Sequence, residues 1–206
     1  MSNAIRIYRH ALSGHAHRVE LFASLAGIST ELVDVDLAAG AQNETAFRDI
    51  NPFGQVPTIQ DADLVLSDSN AILIYLAKTY APEWYPEDTI TQAEIQRFLS
   101  MAAGEIAYGP ATARLKTVFG APIDADRAKS ISDWAFERLE NHLNGREWLV
   151  GNRATLADIA IYSYTAHAPE GNVSLESYPN IKKLLARIEA LPGFIHMQAS
   201  SVGLAA

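Results

Sequence analysis

The chain contains no cysteine among its 206 residues. This absence excludes disulfides, thiolate metal sites and a cysteine nucleophile, so any thiol chemistry must use a thiol from another molecule. Runs of basic residues are also missing, and the formal net charge is −8. Because a nucleic-acid or anionic-membrane surface needs clustered lysine and arginine, the charge argues against both kinds of partner.

Long apolar runs are missing too. No stretch of the sequence approaches the roughly 20 apolar residues that span a bilayer, and the opening MSNAIRIYRH lacks the apolar core of a secretion signal. We therefore expect a soluble, cytoplasmic protein. The hydrophobic content of 49% and the charged content of 19% are ordinary for a globular protein, and the length suits one and a half to two domains.

The first eighty residues alternate short β-type runs with amphipathic segments. The β-type runs are 5–8, 31–37, 56–60 and 63–66, and the helical segments are 16–26, a short turn at 45–49, and 67–80. This βαβαββα order predicts a small mixed sheet covered by helices. We therefore assign residues 1–80 to an α/β domain.

From Ala81 the pattern becomes helical. The segment APEWYPEDT holds two prolines and indicates a linker over residues 81–90. Beyond it, helical periodicity covers 91–119 (one helix, or two broken near Gly109-Pro110), 124–143, 155–167 and 178–190. We therefore expect residues 91–206 to form an all-α domain. The fold class is α/β plus all-α.

The stretch NPFGQVPTI places a proline inside a run that otherwise suits a strand. Proline has no N–H to donate to a strand ladder, so Pro57 either opens an edge strand or follows a cis Val56–Pro57 bond. About one X–Pro bond in twenty is cis in folded proteins. The residues alone leave the two alternatives open.

Two further segments are helix starts with free backbone N–H groups. In SDSNAIL, Asp68 and Ser69 precede an apolar run, and together they suit a zwitterionic amino-acid head. In RHALSGH, the Ser13 hydroxyl lies just ahead of a helix N-terminus, where the macrodipole favours an anion such as a thiolate. Simple helix capping is the alternative at both places.

Other interpretations of these motifs are weaker. His15 and His17 stand two apart on a helix and so point to different faces, which argues against a metal site that also includes His10. No GxSxG elbow surrounds Ser13, which argues against a serine hydrolase. Further along the chain, TLAD (155–158) is a capping box with a structural role.

Five motifs in order resemble the cytosolic glutathione transferase superfamily over essentially the full length of the chain. They are NPFGQVPTI, LSDSNAILIYLA, the proline-bearing linker, GNRATLADIAIY and YPNIKKLLARIEALPGF. The resemblance implies a thioredoxin-like N-terminal domain, a helical C-terminal domain, a homodimer and a role in detoxification. It also implies that glutathione is the co-substrate with no other cofactor, and it favours the cis form of Val56–Pro57.

The resemblance also implies which residues bind glutathione. The backbone of Val56, ahead of Pro57, would pair with the cysteinyl part, and Asp68 and Ser69 would hold the γ-glutamyl part with Gln55 close by. The remaining candidates are Gln42 and Asn43 for the glycyl carboxylate, and Ser13 for the thiol, as in serine-type classes such as phi and theta. Whether Ser13, His15 or a backbone N–H is the main donor to the thiolate is left open. Some classes have His and Lys where this chain has Gln42 and Asn43. The side chains that bind the glycyl carboxylate are therefore expected to be uncharged here.

The electrophile pocket is expected between the first domain and the long helix of the second. Its candidate residues are Leu12, His15, Met101, Tyr108, Ala111, Arg114 and His167. A stripe with helical spacing such as 101–114 also suits a core face. Phe53 is expected either to enter the partner subunit or to pack under its own loop.

The predicted function is therefore glutathione transfer to a small hydrophobic electrophile, with peroxide reduction or isomerisation left open. The alternative is a non-catalytic dimeric binding or scaffold protein of the same fold. Intact Val56-Pro57 and Asp68-Ser69 argue against the scaffold, which has no need of them. A dehydroascorbate-type reductase normally needs a protein cysteine, and the chain has none.

Overall fold

A computed structural model describes residues 4–206, and the chain divides into two compact units. The first unit extends to Pro82 and also takes in Pro192–Gln198, while the second comprises Glu83–Leu191 and Ala199–Ala206. The return of Pro192–Gln198 to the first unit was not expected from the sequence. Hydrogen bonds explain it, because the Ile195 carbonyl accepts from His17 Nε2 at 3.0 Å and the Gly193 carbonyl accepts from Ser24 Oγ at 2.6 Å.

The first unit is built on a four-stranded mixed sheet in the order β2-β1-β3-β4. Strands β1 and β2 are parallel, whereas β3 is antiparallel to both β1 and β4. The elements in chain order are β1 (Ile5–Arg9), α1 (Gly14–Leu25), β2 (Thr30–Asp34), α2 (Thr45–Arg48), β3 (Thr58–Asp61), β4 (Leu64–Ser67) and α3 (Ser69–Tyr80). The predicted thioredoxin-like βαβαββα order is confirmed.

The core of this unit lies between the sheet and helices α1 and α3. Ile7 of β1 and Ile59 of β3 are fully buried, as are Phe22 of α1 and Leu73 of α3. Their burial follows from the period-two pattern of the strands and the apolar stripes of the helices. Edge strand β2 is largely exposed and ends three residues earlier than expected, at Asp34.

The second unit is helical. Its helices are α4 (Thr89–Ala103), α5 (Thr112–Phe119), α6 (Ala125–His142), α7 (Leu156–Ala166) and α8 (Pro179–Glu189). Helix α7 forms the centre of this unit, since every residue from Leu156 to Thr165 is buried. No helix within residues 4–206 is both long and apolar enough to cross a membrane.

The long helical stretch 91–119 is two helices rather than one. Between α4 and α5 lies a π-helical turn, Ala107–Ala111, which contains Pro110. Gly109 in this turn packs so closely on α6 that an added Cβ would lie 2.9 Å from the Ser132 backbone nitrogen. Proline and π-turns are the usual causes of sharp helix kinks, so both features explain the break.

The predicted capping box at the start of α7 is present. Thr155 accepts a hydrogen bond from the Ala157 N–H at 3.3 Å, and Asp158 Oδ2 accepts from the Thr155 N–H at 2.9 Å. Asp158 Oδ1 also accepts from the Leu149 N–H at 2.9 Å. The box therefore fixes both the start of α7 and the segment that precedes it.

Candidate functional site

The loop that leads into β3 is organised by Asn51, whose side chain is buried. Asn51 Nδ2 donates to the Gln55 carbonyl at 2.9 Å and to Thr58 Oγ1 at 3.0 Å. Its Oδ1 accepts from the Phe53 N–H at 3.1 Å. The Val56–Pro57 peptide bond is cis. A single buried amide thus holds the loop in shape while Gln55 stays exposed and Val56 half-buried.

Asp68 lies next to this loop. The β3–β4 ladder ends at the pair Thr58–Ser67, so the next residues on each side, Pro57 and Asp68, are neighbours. Asp68 is exposed and has a positive φ of 73°. Its Oδ1 caps α3 by accepting from the N–H groups of Asn70 at 3.0 Å and Ala71 at 2.9 Å. A carboxylate has two oxygens, so Oδ2 is left to meet a ligand cation.

Ser69 begins α3 and is buried. Its Oγ accepts a hydrogen bond from Arg18 Nη1 at 3.2 Å and lies 3.5 Å from His15 Nδ1. Burial, with a smaller effect of the Arg18 charge, lowers the pKa of His15 to about 3. His15 is therefore neutral at physiological pH.

His15 therefore contacts Ser69 at the start of α3, whereas from the sequence we expected it to line the electrophile pocket. Arg18, which sequence reasoning missed, is fully buried on α1 and also donates to Asn70 Oδ1 at 3.0 Å. It ties α1 to the first residues of α3. An arginine within a helix is usually a surface residue, so the sequence carried no signal for this role.

Ser13 is the N-cap of α1. Its Oγ accepts from the Ala16 N–H at 3.3 Å, which occupies one lone pair and leaves the hydroxyl proton to donate. The site is half-buried. The nearby hydroxyl of Tyr8, on β1, is engaged elsewhere, because it donates to Gln60 Oε1 at 3.4 Å and the Tyr8 ring packs on Phe47. Ser13 thus combines an available donor with the positive end of a twelve-residue helix.

The segment expected to meet a glycyl carboxylate contains a cation. Asn43 Oδ1 accepts from Arg48 Nη2 at 3.2 Å, and the Pro52 carbonyl accepts from Arg48 Nη1 at 2.7 Å. Gln42 lies beside them at the turn of Gly54. This cation, which α2 brings against Asn43, was not foreseen from the sequence, and uncharged binding of a glycyl carboxylate by Gln42 and Asn43 stays a prediction. A spacing of five residues across a turn gave no sequence signal for this contact.

The residues expected to line an electrophile pocket do not share one face. Tyr108 is 67% exposed and borders a cavity of about 600 Å³ with α6, and Met101 borders another of about 560 Å³. Ala111 and Arg114 are buried. The π-helical turn explains the difference, since it shifts the 3.6-residue spacing between Met101 and Arg114.

Arg114 was expected to line the electrophile pocket, but the structure gives it a structural role. It forms a buried ion pair with Glu170, whose other oxygen lies 2.6 Å from His167 Nδ1 and accepts from the Ser200 N–H at 3.0 Å. Burial alone raises the pKa of Glu170, but the hydrogen bonds from Ser200, His167 and Arg114 outweigh it and lower the pKa. These contacts engage both Arg114 and His167 inside the helical unit.

Two other candidates lie on the first unit. Leu12 is half-buried in the loop before α1, and its N–H donates to His10 Nδ1 at 3.2 Å. Phe53 is 76% exposed, so it does not pack under its own loop. Insertion of Phe53 into a partner subunit stays a prediction.

Comparisons with known proteins identify the same family in both units. The glutathione S-transferase N-terminal domain matches residues 3–78 and the C-terminal domain matches residues 88–192. Human glutathione S-transferase theta-2 is 30% identical over 200 residues, covering 92% of this chain and 82% of the human protein.

Two solved structures are similar as well. A glutathione S-transferase from Pseudomonas fluorescens has a TM-score of 0.90 and 26% identity, covering 96% of this chain and all of that one. A glutathione transferase homologue from Lodderomyces elongisporus, solved with two GSH per subunit, has a TM-score of 0.84 and 25% identity, covering 93% and 95% of the two chains. The similarity extends through both units.

Proposed function

The chain belongs to the cytosolic glutathione S-transferase superfamily, and from this premise we propose that it activates the thiol of glutathione for attack on a small hydrophobic electrophile in the cytoplasm. One observation carries the proposal. The first unit brings the exposed Asp68 carboxylate and the start of α3 beside the Val56-Pro57 loop, through the register of β3 with β4. Homologues named as glutathione S-transferases, aligned over most of the chain, support the same activity.

The binding step uses complementary charges. The ammonium group of the γ-glutamyl head is met by Asp68, and its carboxylate by the N-terminus of α3 with the Ser69 hydroxyl. The Val56 N–H and C=O pair with the cysteinyl backbone, with Gln55 alongside. Glutathione is thus held as an extended strand beside the loop, and no other cofactor is proposed.

The activation step lowers the thiol pKa. The thiol of free glutathione has a pKa of about 8.5, so little of it is thiolate at neutral pH. The Ser13 hydroxyl and the N-terminus of α1 both stabilise the anion, and each pKa unit is worth about 1.4 kcal/mol. The thiolate then forms a bond to an electrophilic carbon, and either a leaving group departs with its bonding electron pair or, in an addition, the displaced π electron pair moves to a neighbouring atom that takes up a proton. In peroxide reduction the sulfur would attack one oxygen and break the O–O bond, the other oxygen would leave as an alcohol or water after protonation, and a second glutathione would displace water from the resulting sulfenic acid to give glutathione disulfide.

The proposal includes two partners besides glutathione. The electrophile is a small apolar molecule, and Tyr108 is its candidate contact on the helical unit because it is exposed on a cavity. The second partner is another copy of the chain in a homodimer, with Phe53 as a contact. Sedimentation of a monomer at micromolar concentration would contradict the dimer.

Calorimetry tests the proposed function directly. Glutathione titrated near neutral pH, in two buffers of different ionisation enthalpy, should bind saturably and release protons as the thiolate forms. Binding without proton release would leave the site in place but contradict activation by Ser13. No binding at millimolar glutathione would contradict the enzyme and favour the non-catalytic scaffold alternative.

Replacing Asp68 with asparagine should weaken glutathione binding about tenfold. Asparagine caps a helix as well as aspartate does and tolerates positive φ, so α3 and the backbone at this residue are preserved while the charge is lost. A lost charged hydrogen bond costs about 1.5 kcal/mol, which is about tenfold in affinity. The dissociation constant is measured by calorimetry.

The matched control is Asp88→Asn. Asp88 is the N-cap of α4, and its Oδ1 accepts from the Thr91 N–H at 2.8 Å. This variant makes the same chemical change at a capping aspartate and should bind glutathione like the wild type. Equal dissociation constants for Asp68→Asn and wild type would rule out the ammonium contact.

A further inference from the structure

We propose that His10 is a positioning residue for Ser13, which builds the turn that presents the Ser13 hydroxyl to the thiol of glutathione and engages the backbone N–H groups beside that hydroxyl. The inference rests on the proposed function and adds a residue to it. It starts from the short segment between β1, which ends at Arg9, and α1, which begins at Gly14. His10 is the first residue of this segment and is half-buried.

His10 closes the segment into a turn with both its backbone and its side chain. Its carbonyl accepts a hydrogen bond from the Ser13 N–H at 2.9 Å. Its Nδ1 accepts a hydrogen bond from the Leu12 N–H at 3.2 Å. Asparagine and aspartate build Asx turns in the same way, with a side-chain acceptor for the N–H two residues on. An imidazole nitrogen that accepts carries no proton, so the proton of neutral His10 is on Nε2.

Ser13 is held from both sides as a result. Its N–H donates back to the His10 carbonyl, while its own carbonyl accepts from the His17 N–H at 2.9 Å. Its Oγ accepts from the Ala16 N–H at 3.3 Å. The backbone of Ser13 is therefore fixed between the turn and the start of α1, and the direction of the hydroxyl follows from it. A donor at a reacting atom must be held within about 0.5 Å of its productive position, which is the work of the residues that support it.

The same contacts decide which group donates to the thiolate. Backbone N–H groups stabilise anions as well as hydroxyls do, so those of Leu12 and Ser13 would be alternative donors. Both are engaged by His10, through its Nδ1 and its carbonyl. The Ser13 hydroxyl keeps its proton for a ligand because its oxygen is the acceptor in the contact with Ala16. His10 therefore favours the side-chain donor over these two backbone donors.

The test follows the ultraviolet absorbance of the bound thiolate against pH in wild type, His10→Ala and His10→Asn. His10→Ala removes the acceptor of the Leu12 N–H and should raise the pKa of the bound thiol by about 0.5–1 unit, which lowers turnover at pH 6.5 about three- to tenfold. The effect is smaller than that of removing the hydroxyl, because the hydroxyl is displaced and not lost. His10→Asn supplies an amide oxygen as acceptor and should keep the wild-type thiol pKa. All three proteins should bind S-methylglutathione, which has no ionisable thiol, with the same dissociation constant.

A double-mutant cycle shows whether His10 acts through Ser13. In a Ser13→Ala background, His10→Ala should raise the thiol pKa no further, because no hydroxyl is left to position. The same increase with and without the Ser13 hydroxyl would mean that His10 acts on the thiolate independently, which overturns the inference.

His196→Ala is the matched control. His196 is an exposed histidine of the same unit, and its ring packs against Phe194 with the centroids 4.7 Å apart. This variant should titrate like the wild type. A wild-type thiol pKa in His10→Ala, or weaker binding of S-methylglutathione by that variant, also overturns the inference, the second because it shows general damage to the site. A wild type that does not bind glutathione contradicts the proposed function instead.

Discussion

Replacing Ser13 with alanine should raise the pKa of the bound glutathione thiol by about 1–2 units and lower turnover at pH 6.5 by about 10- to 100-fold. Alanine removes the hydroxyl that donates to the thiolate but leaves the N-terminus of α1. One pKa unit corresponds to about 1.4 kcal/mol, in the range measured for a single charge-assisted hydrogen bond. At a pH below both pKa values, a thiol whose pKa is one unit higher holds about one tenth as much thiolate.

The activity deficit of Ser13→Ala should depend on pH in a defined direction. Raising the pH through the thiol pKa of the variant should restore its thiolate, so the deficit shrinks as the pH rises. Ultraviolet absorbance of the bound thiolate, followed against pH, reads the pKa without any second substrate. The same titration curve for Ser13→Ala and wild type would refute the role of Ser13.

Stability must be separated from activation in this experiment, because Ser13 also caps α1. Loss of a cap costs about 1 kcal/mol. Ser13→Thr retains both a cap and a hydroxyl, and it should keep the low thiol pKa. Ser13→Gly loses only a few tenths of a kcal/mol as a cap but all of the donor. The glycine variant should therefore titrate like alanine while unfolding almost like wild type.

Replacing Asp158 with alanine should destabilise the helical unit by about 3–5 kcal/mol. The carboxylate is fully buried and accepts hydrogen bonds from the N–H groups of Leu149 and Thr155 and from the Thr155 hydroxyl. Each buried donor left without its acceptor costs about 1–3 kcal/mol. Denaturant unfolding followed by circular dichroism measures the loss.

Asp124→Ala is the control for this substitution. Asp124 is the N-cap of α6, and its Oδ1 accepts from the Arg127 N–H at 3.0 Å. Its hydrogen bond is exposed, so its loss should cost about 1 kcal/mol. A similar cost for the two variants would show that the buried network adds nothing to ordinary capping.

The difference in the free energy of unfolding between wild type and Asp158→Ala should also depend on pH. Burial raises the pKa of this carboxyl to about 6 from its ordinary 3.8, despite the hydrogen bonds that it accepts. Between these values the unfolded chain loses the proton while the folded one keeps it, so wild-type stability falls as the pH rises through this window. Asp158→Ala lacks this effect. The difference in the free energy of unfolding should therefore be larger near pH 4 than above pH 6.

Elements governed by local patterns could be predicted from the sequence. The βαβαββα order followed from strand alternation and apolar stripes, and the α7 capping box followed from the spacing of Thr155 and Asp158. Both depend on contacts within a few residues. Bounds were less accurate where the pairing partner sets a strand's length, as at β2, which ends at Asp34 rather than Leu37 because its partner β1 ends at Arg9.

The environment of the candidate site depends on distant contacts, and these could not be predicted. Arg18 and Ser69 are 51 residues apart, yet they meet because α1 packs against α3. Arg48 reaches Asn43, five residues before it, because the short helix α2 lies between them and Gly54 leaves room. The π-helical turn was also hidden, since no residue type requires one extra residue per turn. Each of these shapes the surroundings of the candidate residues while leaving the fold unchanged.

The return of Pro192–Gln198 to the first unit has a consequence for how the chain can be divided. The peptide crosses from one unit to the other more than once, so a single cut at the linker does not release either unit whole. A fragment that stops at Pro82 would lack the carbonyls of Gly193 and Ile195, which pair with Ser24 and His17 on α1, and the buried Met197. The helix that carries Ser13 thus depends on residues 192–198, which are synthesised after all five helices of the second unit, so the first unit is completed only once those helices have been made.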